Sequence, residues 1–433
     1  MRMNDNTEKW KEWRNVPVDK LALQLAGRAD VAADYVLRQV EGWQKLRRKV
    51  PAWAAVEGLE YPHRLALEQC SGEAAARCKA DIIGQMVKHL REGTPTKVAV
   101  EMNDGADAEM CVRLRPTVDE NAPERPLTFT DLTGGLGVDF SFIAPLFDRA
   151  VYVERQESLC RLARHNLPLL GLQRAEVVCG NGVEYLQKMN PVDVLFLDPA
   201  RRDGAGRKTV LIEDCEPDVC RLQELLLRKA RYVVLKLSTM LDITGAVGAL
   251  QGVRRVHVVS VGGECKDLLI VMSAHDGLFP ENSGPVIVAH EGGESLCFTL
   301  ADEAAARPVY ADACESFLYE PGPAVLKAGA FRTVAQVYGL KKLHPHSHLY
   351  TADRRISPFP GRTFRVIGEY GFGKADLKRL RTLCAQANLT VRNFPASVEA
   401  LRKKLKLREG GEHYIFATTM ADGRHAILLC QKA

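Results

Sequence analysis

The chain has 433 residues, with 59 Lys and Arg against 54 Asp and Glu, a formal net charge of +5, and apolar and charged fractions of 46% and 26%. No apolar run approaches the roughly 20 residues that cross a bilayer, and Met1 to Trp13 is charged where a secretion signal is apolar; this argues against a membrane protein and predicts a cytoplasmic one. Twelve cysteines, scattered and without a CxxC pair, predict reduced thiols in place of disulfides or a zinc site, and the length predicts two or three domains.

Residues 1–115 read as a small helical domain. From Val18 to Gly93 the apolar positions recur at helical spacing, and within Ala74 to Arg91 the residues Ile82, Ile83, Met86, Val87 and Leu90 fall on one stripe. Pro51, Pro62 and Gly93 to Pro95 punctuate the pattern, and the polar stretch Pro116 to Pro126 marks the approach to the next domain.

Residues 116–275 change period to short apolar strands separated by helix-length segments, the pattern of a parallel α/β sheet with crossover helices. Strands are expected at Thr128 to Asp131, Ala150 to Glu154, Glu176 to Cys179, Val192 to Asp198 and Tyr232 to Leu237. Two more, Arg255 to Ser260 and Asp267 to Ser273, are close enough in sequence to form an antiparallel hairpin, which makes a seven-stranded, Rossmann-like sheet.

The rest of the chain reads as α+β, divided into regions 276–361 and 362–433. A hairpin is expected from Val286 to Ala289 and Leu296 to Thr299 around Glu291-Gly292-Gly293. From Thr363 the order is strand, helix, strand, helix, strand, strand, with the last pair joined at Asp422-Gly423.

The first strand ends in Asp131 and runs through Thr133 into Gly134, Gly135 and Gly137, where missing Cβ atoms permit a tight turn and close approach of a ligand. Gly135 to Phe140 lacks the third glycine of the dinucleotide fingerprint, so an adenosyl ligand suits the loop better than a nicotinamide one. Glu154 ends the second strand about 20 residues on, where a carboxylate can accept both ribose hydroxyls. Asp131 is a candidate for the ligand's amino group or a cap on the turn, and Asn181, in Gly180-Asn181-Gly182, for the adenine edge or a residue that simply tolerates the turn. In order and spacing these residues resemble the successive cofactor motifs of class I methyltransferases, which implies S-adenosylmethionine as cofactor.

The fourth strand delivers Asp198-Pro199-Ala200-Arg201-Arg202-Asp203 to the carboxyl edge of the sheet, and the position resembles the catalytic motif of that family. The resemblance implies that Asp198 orients the acceptor, with Pro199, Ala200 and Arg201 completing the motif. Amino-methylating enzymes show a second proline and an aromatic residue where this chain has Ala200 and Arg201. Uracil C5-methyltransferases have a similar motif but need a nucleophilic cysteine, and none follows the fifth strand in Leu235-Lys236-Leu237-Ser238-Thr239. Cys265, beside Lys266, reads as a structural thiol, with activation by that lysine as the alternative.

Arg202, Arg207 and Lys208 form a basic loop beside this corner. Farther on, Lys327, Arg332, Lys341, Lys342, Arg354, Arg355, Arg362 and Arg365 face a single acid, Asp353, and are interleaved with Phe331, Tyr338, Tyr350 and Phe359; Lys341, Lys342, Arg354 and Arg355 are the candidates for RNA contact. A solvated face over an aromatic core is the alternative. His344, His346 and His348 alternate, but Pro345 and the absence of a nearby acid or cysteine cluster argue against a metal site.

The segments Phe317 to Pro321, Lys327 to Phe331 and Gly339 to Pro345, with Phe359-Pro360-Gly361-Arg362, resemble bacterial class I methyltransferases bearing a THUMP-like C-terminal domain. The resemblance implies a ferredoxin-like basic region at 276–361, a THUMP-like domain at 362–433, and methylation of a base in structured RNA, tRNA being the class that THUMP domains serve. Two rivals stay open: a methyltransferase acting on a small molecule or protein, and a non-catalytic RNA-binding protein that keeps the cofactor fold.

Overall fold

The computed structural model describes residues 10–26, 28, 31–92, 125–201, 212–274 and 284–433; Arg202, Arg207, Lys208 and nearly all of the expected connection Pro116 to Pro126 lie outside them. Among the described residues no helix is long and apolar enough to cross a membrane. The chain divides into two compact units, residues 1–254 with 270–281 and residues 255–269 with 282–433.

In the first unit, helices α1 (Val18–Leu25), α2 (Ala33–Lys49), α3 (Pro51–Ala54), α4 (Arg64–Gln69) and α5 (Glu73–Glu92) precede the sheet. Helix α2 buries Val36, Val40 and Leu46 and carries Asp34 in its first turn and Arg47, Arg48 and Lys49 in its last, charges that complement the helix dipole. The helices share one core with Val138, against which Leu136 and Phe142 also pack. Trp53 Nε1 donates to Ser141 Oγ at 3.0 Å, and the Asn166 amide exchanges two hydrogen bonds with the Glu60 backbone at 3.0 and 2.8 Å. The expected boundary near residue 115 therefore does not separate two bodies, because the helices bury their apolar face on the segment that follows the glycine turn.

Strands β1 (Thr128–Asp131), β2 (Arg149–Glu154), β3 (Glu176–Cys179) and β4 (Val192–Leu197) lie as expected. The two-stranded ribbon β5 (Ala200–Arg201) and β6 (Cys215–Glu216) follows, and then β7 (Ala230–Leu237). The parallel order is β7-β4-β1-β2-β3. Helices α6 (Val138–Ile143), α7 (Glu157–Leu169), α8 (Gly182–Lys188), α9 (Val219–Lys229) and α10 (Ile243–Ala249) come between or after the strands. Val194 to Leu197 are at most 1% exposed, the burial expected of a strand covered on both faces. Register places Asp131 beside Tyr152 and Phe196, and Glu154 beside Cys179, so four strand ends meet along one edge.

Strands β8 (Val253–Val261) and β9 (Glu264–Met272) are joined by Gly262-Gly263, and the division into units falls within them. In the second unit β10 (Val286–Glu291) pairs parallel with β8 and antiparallel with β11 (Glu294–Thr299), so β8 is not the last strand of its sheet. Thr299 and Asp302 form a capping box on α11 (Leu300–Ala305). Region 276–361 is accordingly not one body: its first hairpin extends β8, and the remainder joins another sheet.

That second sheet holds β12 (Phe317–Pro321), β13 (Lys341–Lys342), β14 (Tyr350–Ala352), β15 (Gly361–Gly371), β16 (Asn388–Arg392), β17 (His413–Thr419) and β18 (His425–Lys432), in the order β13-β14-β12-β15-β18-β17-β16. Helices α12 (Pro323–Ala328) and α13 (Thr333–Val337) follow β12, while α14 (Lys374–Leu383) and α15 (Val398–Leu405) flank β16. The order from Gly361 is the expected one, and the last hairpin turns at Asp422-Gly423, with Gly423 at φ +84°.

Candidate active site

The turn after β1 is shaped by glycine at two positions where geometry demands it. A Cβ on Gly134 would stand 2.2 Å from the Tyr152 ring, and Gly137 opens α6 at φ +86°. Gly134 N–H donates to Val153 O at 2.8 Å, Gly137 N–H to Gly134 O at 2.9 Å, and the buried Tyr152 hydroxyl donates to Gly135 O. Tyr152 is the floor of the turn, a role that its place inside an apolar strand does not signal in the sequence.

Glu154 is 8% exposed; its Oε2 accepts Gly135 N–H at 2.9 Å and its Oε1 accepts Gln156 N–H at 2.8 Å. A carboxylate offers about four lone-pair directions, so among the described residues two stay available for ribose hydroxyls. Asn181 caps α8, its Oδ1 accepting Val183 N–H at 2.8 Å and Glu184 N–H at 3.4 Å. Its carbonyl is thus engaged in shaping the loop, and only the amide N–H₂ remains to address an adenine edge.

Asp131 is 2% exposed and accepts Thr133 N–H at 2.9 Å and the Thr133 hydroxyl at 3.3 Å. Burial pushes its carboxyl up to about 8, against the lowering pull of the Thr133 amide and with Asp139 and Asp198 adding repulsion. Such a group favours an ammonium ligand, which would compensate the buried charge.

Asp198, at the end of β4, pairs with Lys236 of β7, and Lys236 Nζ also lies 3.4 Å from Asp139 on α6. The opposite oxygen of Asp139 stands 3.2 Å from Nζ of Lys79, a fully buried lysine of α5, and Ser71 donates to Asp139 at 2.7 Å. Burial alone would raise the Asp139 carboxyl, but the two lysines hold it below the usual range. Neither lysine was singled out from sequence as a site residue, though each is a charge inside an apolar pattern. Pro199 is buried, Ala200 is exposed, and β5 pairs Ala200 with Glu216 and Arg201 with Cys215.

In the second unit the expected RNA contacts separate. Lys341 is half-exposed and paired with Glu315, whereas Lys342 is 2% exposed, near the Phe331 and Tyr350 rings at 5.9 and 5.8 Å, and lowered by burial to about 8. Adjacent residues of a strand point to opposite faces, so Lys342 turns inward and the expectation of a phosphate-facing cation there is corrected. Tyr350 is fully buried and Phe359 packs between Tyr319 and Tyr338, which makes these aromatics core and not a stacking platform. Arg354 and Arg355 are exposed, on a loop whose backbone is gripped by the Tyr319 hydroxyl. His344, His346 and His348 lie around a turn, with His348 at φ +53° and stacked on Phe331. Burial pushes the Cys265 thiol up to about 11, and Lys266 pairs with Glu264, both of which favour the reading of Cys265 as a structural thiol.

A parallel sheet with a glycine turn after its first strand and a carboxylate closing its second is a Rossmann-like arrangement suited to a ligand that carries a ribose. Residues 317–360 match a family model described as a ferredoxin-like domain, and residues 361–432 one described as THUMP domain-like. A solved structure from Porphyromonas gingivalis W83, provisionally classed as a methyltransferase, is 36% identical and superposes with a TM-score of 0.80 over 99% of this chain and 97% of that one. Two uncharacterised S-adenosylmethionine-dependent methyltransferases from Mycobacterium tuberculosis strains CDC 1551 and H37Rv are each 26% identical over 284 residues, 64% of this chain and 73% of theirs. The chain belongs to the S-adenosylmethionine-dependent methyltransferases with a THUMP-like C-terminal domain. It is an enzyme whose cofactor is S-adenosylmethionine.

Proposed function

We propose that the enzyme methylates a base in structured RNA, with tRNA the first class to test, and that it does so in the cytoplasm. The observation that carries this reading is the THUMP-like match at residues 361–432 on the same chain as the cofactor site, since THUMP domains proper bind RNA in tRNA-modifying enzymes.

In this reading Asp131 takes the cofactor's ammonium, Glu154 its ribose hydroxyls, and the amide of Asn181 its adenine, while the amides of Thr133, Gly134, Gly135 and Gly137 line the turn. S-adenosylmethionine supplies an electrophilic methyl on a sulfonium. The protein's own contribution is alignment: Asp198 and the carbonyls around Pro199, Ala200 and Arg201 orient the acceptor, and Lys236 fixes the Asp198 carboxylate. Exposed Arg354 and Arg355, with Lys341, Arg202, Arg207 and Lys208, are proposed to meet phosphates.

A small-molecule or protein acceptor is the second reading, favoured by the burial of Lys342 and the pairing of Lys341 with Glu315, which weaken the basic footprint. Nucleoside mass spectra of RNA from cells with and without the gene test the first reading. A methylated nucleoside lost with the gene and restored by incubating that RNA with purified enzyme supports it; identical spectra would leave the second.

A further inference from the structure

Glu320, the fourth residue of β12, is 4% exposed on its side chain, and two arginines from distant parts of the chain converge on it. Arg362 donates from both Nε and Nη2 to its Oε2, and Arg392 donates from Nη2 to its Oε1 at 3.0 Å. The arginines keep 51% and 39% of their side-chain surface open. Arg362 is further held with its guanidinium 5.4 Å from the centroid of the Phe364 ring.

A guanidinium has five N–H donors. Among the described residues these bonds use two donors on Arg362 and one on Arg392, so each ion has donors left over while its position is fixed. One carboxylate cannot neutralise two cations, and the trio keeps a net positive charge. On the other face of the strand, Tyr319 accepts the Ile356 N–H at 2.7 Å and donates to the Arg354 carbonyl at 3.1 Å. That grip fixes the backbone from which Arg354 and Arg355 project into solvent. Two pre-positioned, half-exposed guanidiniums lose little conformational freedom when a phosphate docks, and their planar forks match its oxygens.

We propose that Arg362 and Arg392, held together on the buried carboxylate of Glu320, form a clamp for backbone phosphates of the RNA substrate. The proposal rests on the RNA reading above and adds the place and the chemistry of contact.

The test is fluorescence anisotropy of labelled bulk tRNA with the full chain across a KCl series. Replacing both arginines by alanine should weaken binding about tenfold and flatten the salt slope by about 1.5 to 2, the share of two phosphate contacts. The charge-conserving R362K/R392K pair should also weaken binding, because the fork is lost. Glu320→Gln separates the clamp from simple charge attraction: removing a negative charge should tighten binding if only net charge matters, whereas a clamp deprived of its anchor binds more weakly. Thermal unfolding of each variant checks that the fold is kept, and the lysine pair supplies the test should Glu320→Gln unfold. Alanine and lysine variants that bind like the wild type would overturn the clamp and leave the RNA reading standing; a wild type that binds no tRNA would overturn both.

Discussion

The Thr133 hydroxyl accepts the backbone N–H of Asp198 at 2.6 Å while lying 3.3 Å from the Asp131 carboxylate to which it donates. One side chain on the glycine turn thus couples the carboxylate proposed to hold the cofactor's ammonium to the residue proposed to orient the acceptor. Thr133→Val keeps the volume and removes both bonds, leaving the Asp198 N–H without this partner, at a cost of about 1–3 kcal/mol. Calorimetry should show weaker binding of S-adenosylhomocysteine together with a lowered melting temperature; unchanged affinity would detach the hydroxyl from the site.

Glu154 and Asp198 should separate binding from chemistry. Glu154→Ala is expected to weaken cofactor binding by about tenfold or more, because charged hydrogen bonds to the ribose are worth about 1.5–3 kcal/mol. Asp198→Asn should hold cofactor affinity within a few-fold and abolish labelled methyl incorporation into the acceptor RNA. Turnover by the Asn variant equal to wild type would take Asp198 out of the mechanism.

The raised carboxyl of Asp131 gives cofactor binding a definite pH sign. Unfolded, the group releases its proton near 3.9; folded, it holds the proton up to about 8, so the cofactor-free protein loses stability as pH rises through that window. An ammonium at Asp131 reverses the preference, so binding should expel up to one proton below pH 8 and affinity should climb toward that value. Titrations in two buffers of different ionisation enthalpy measure the release. Asp131→Asn should abolish it, and buffer-independent heats for the wild type at pH 6.5 would contradict the assignment.

Lys79 ties the helical segment to the site. Lys79→Met leaves a buried carboxylate at Asp139 with one cation fewer, which should cost about 3–5 kcal/mol in urea unfolding. Adding Asp139→Leu removes the stranded charge and should recover most of the loss. A double variant as unstable as the single one would show that Lys79 acts through packing alone.

Lys342 carries the opposite expectation. Its ammonium is lowered by burial to about 8, so the unfolded chain binds the extra proton between about 8 and 10.4 and stability gains with pH over that range. Lys342→Met should flatten this dependence and leave tRNA affinity unchanged. A tenfold loss of tRNA binding without loss of fold would return Lys342 to the interface.

The strands of the first sheet were legible in the sequence because most are short runs rich in β-branched and aromatic residues between helix-length segments, and Gly134, Gly137 and Glu154 because a tight turn and a strand-end carboxylate have a fixed spacing. Lys236 and Lys79 were harder, since their meaning depends on Asp139 and Asp198, which only folding brings within reach. Lys79 nevertheless lies one helical step before Ile82 and Ile83 on the buried stripe of α5, and that misplaced charge was the available signal. Lys341 and Lys342 show the converse. A basic, aromatic-rich stretch does not reveal which side chains turn inward until its strand period is known.

Strand β15 pairs with β12 on one side and β18 on the other, although the two family models divide the chain just before it. A fragment beginning at Gly361 would carry an eleven-residue strand with one bare edge, a template for association with other chains. The last two segments must therefore be produced, purified and compared across relatives as an indivisible piece, and attempts to express the THUMP-like portion by itself should give aggregates.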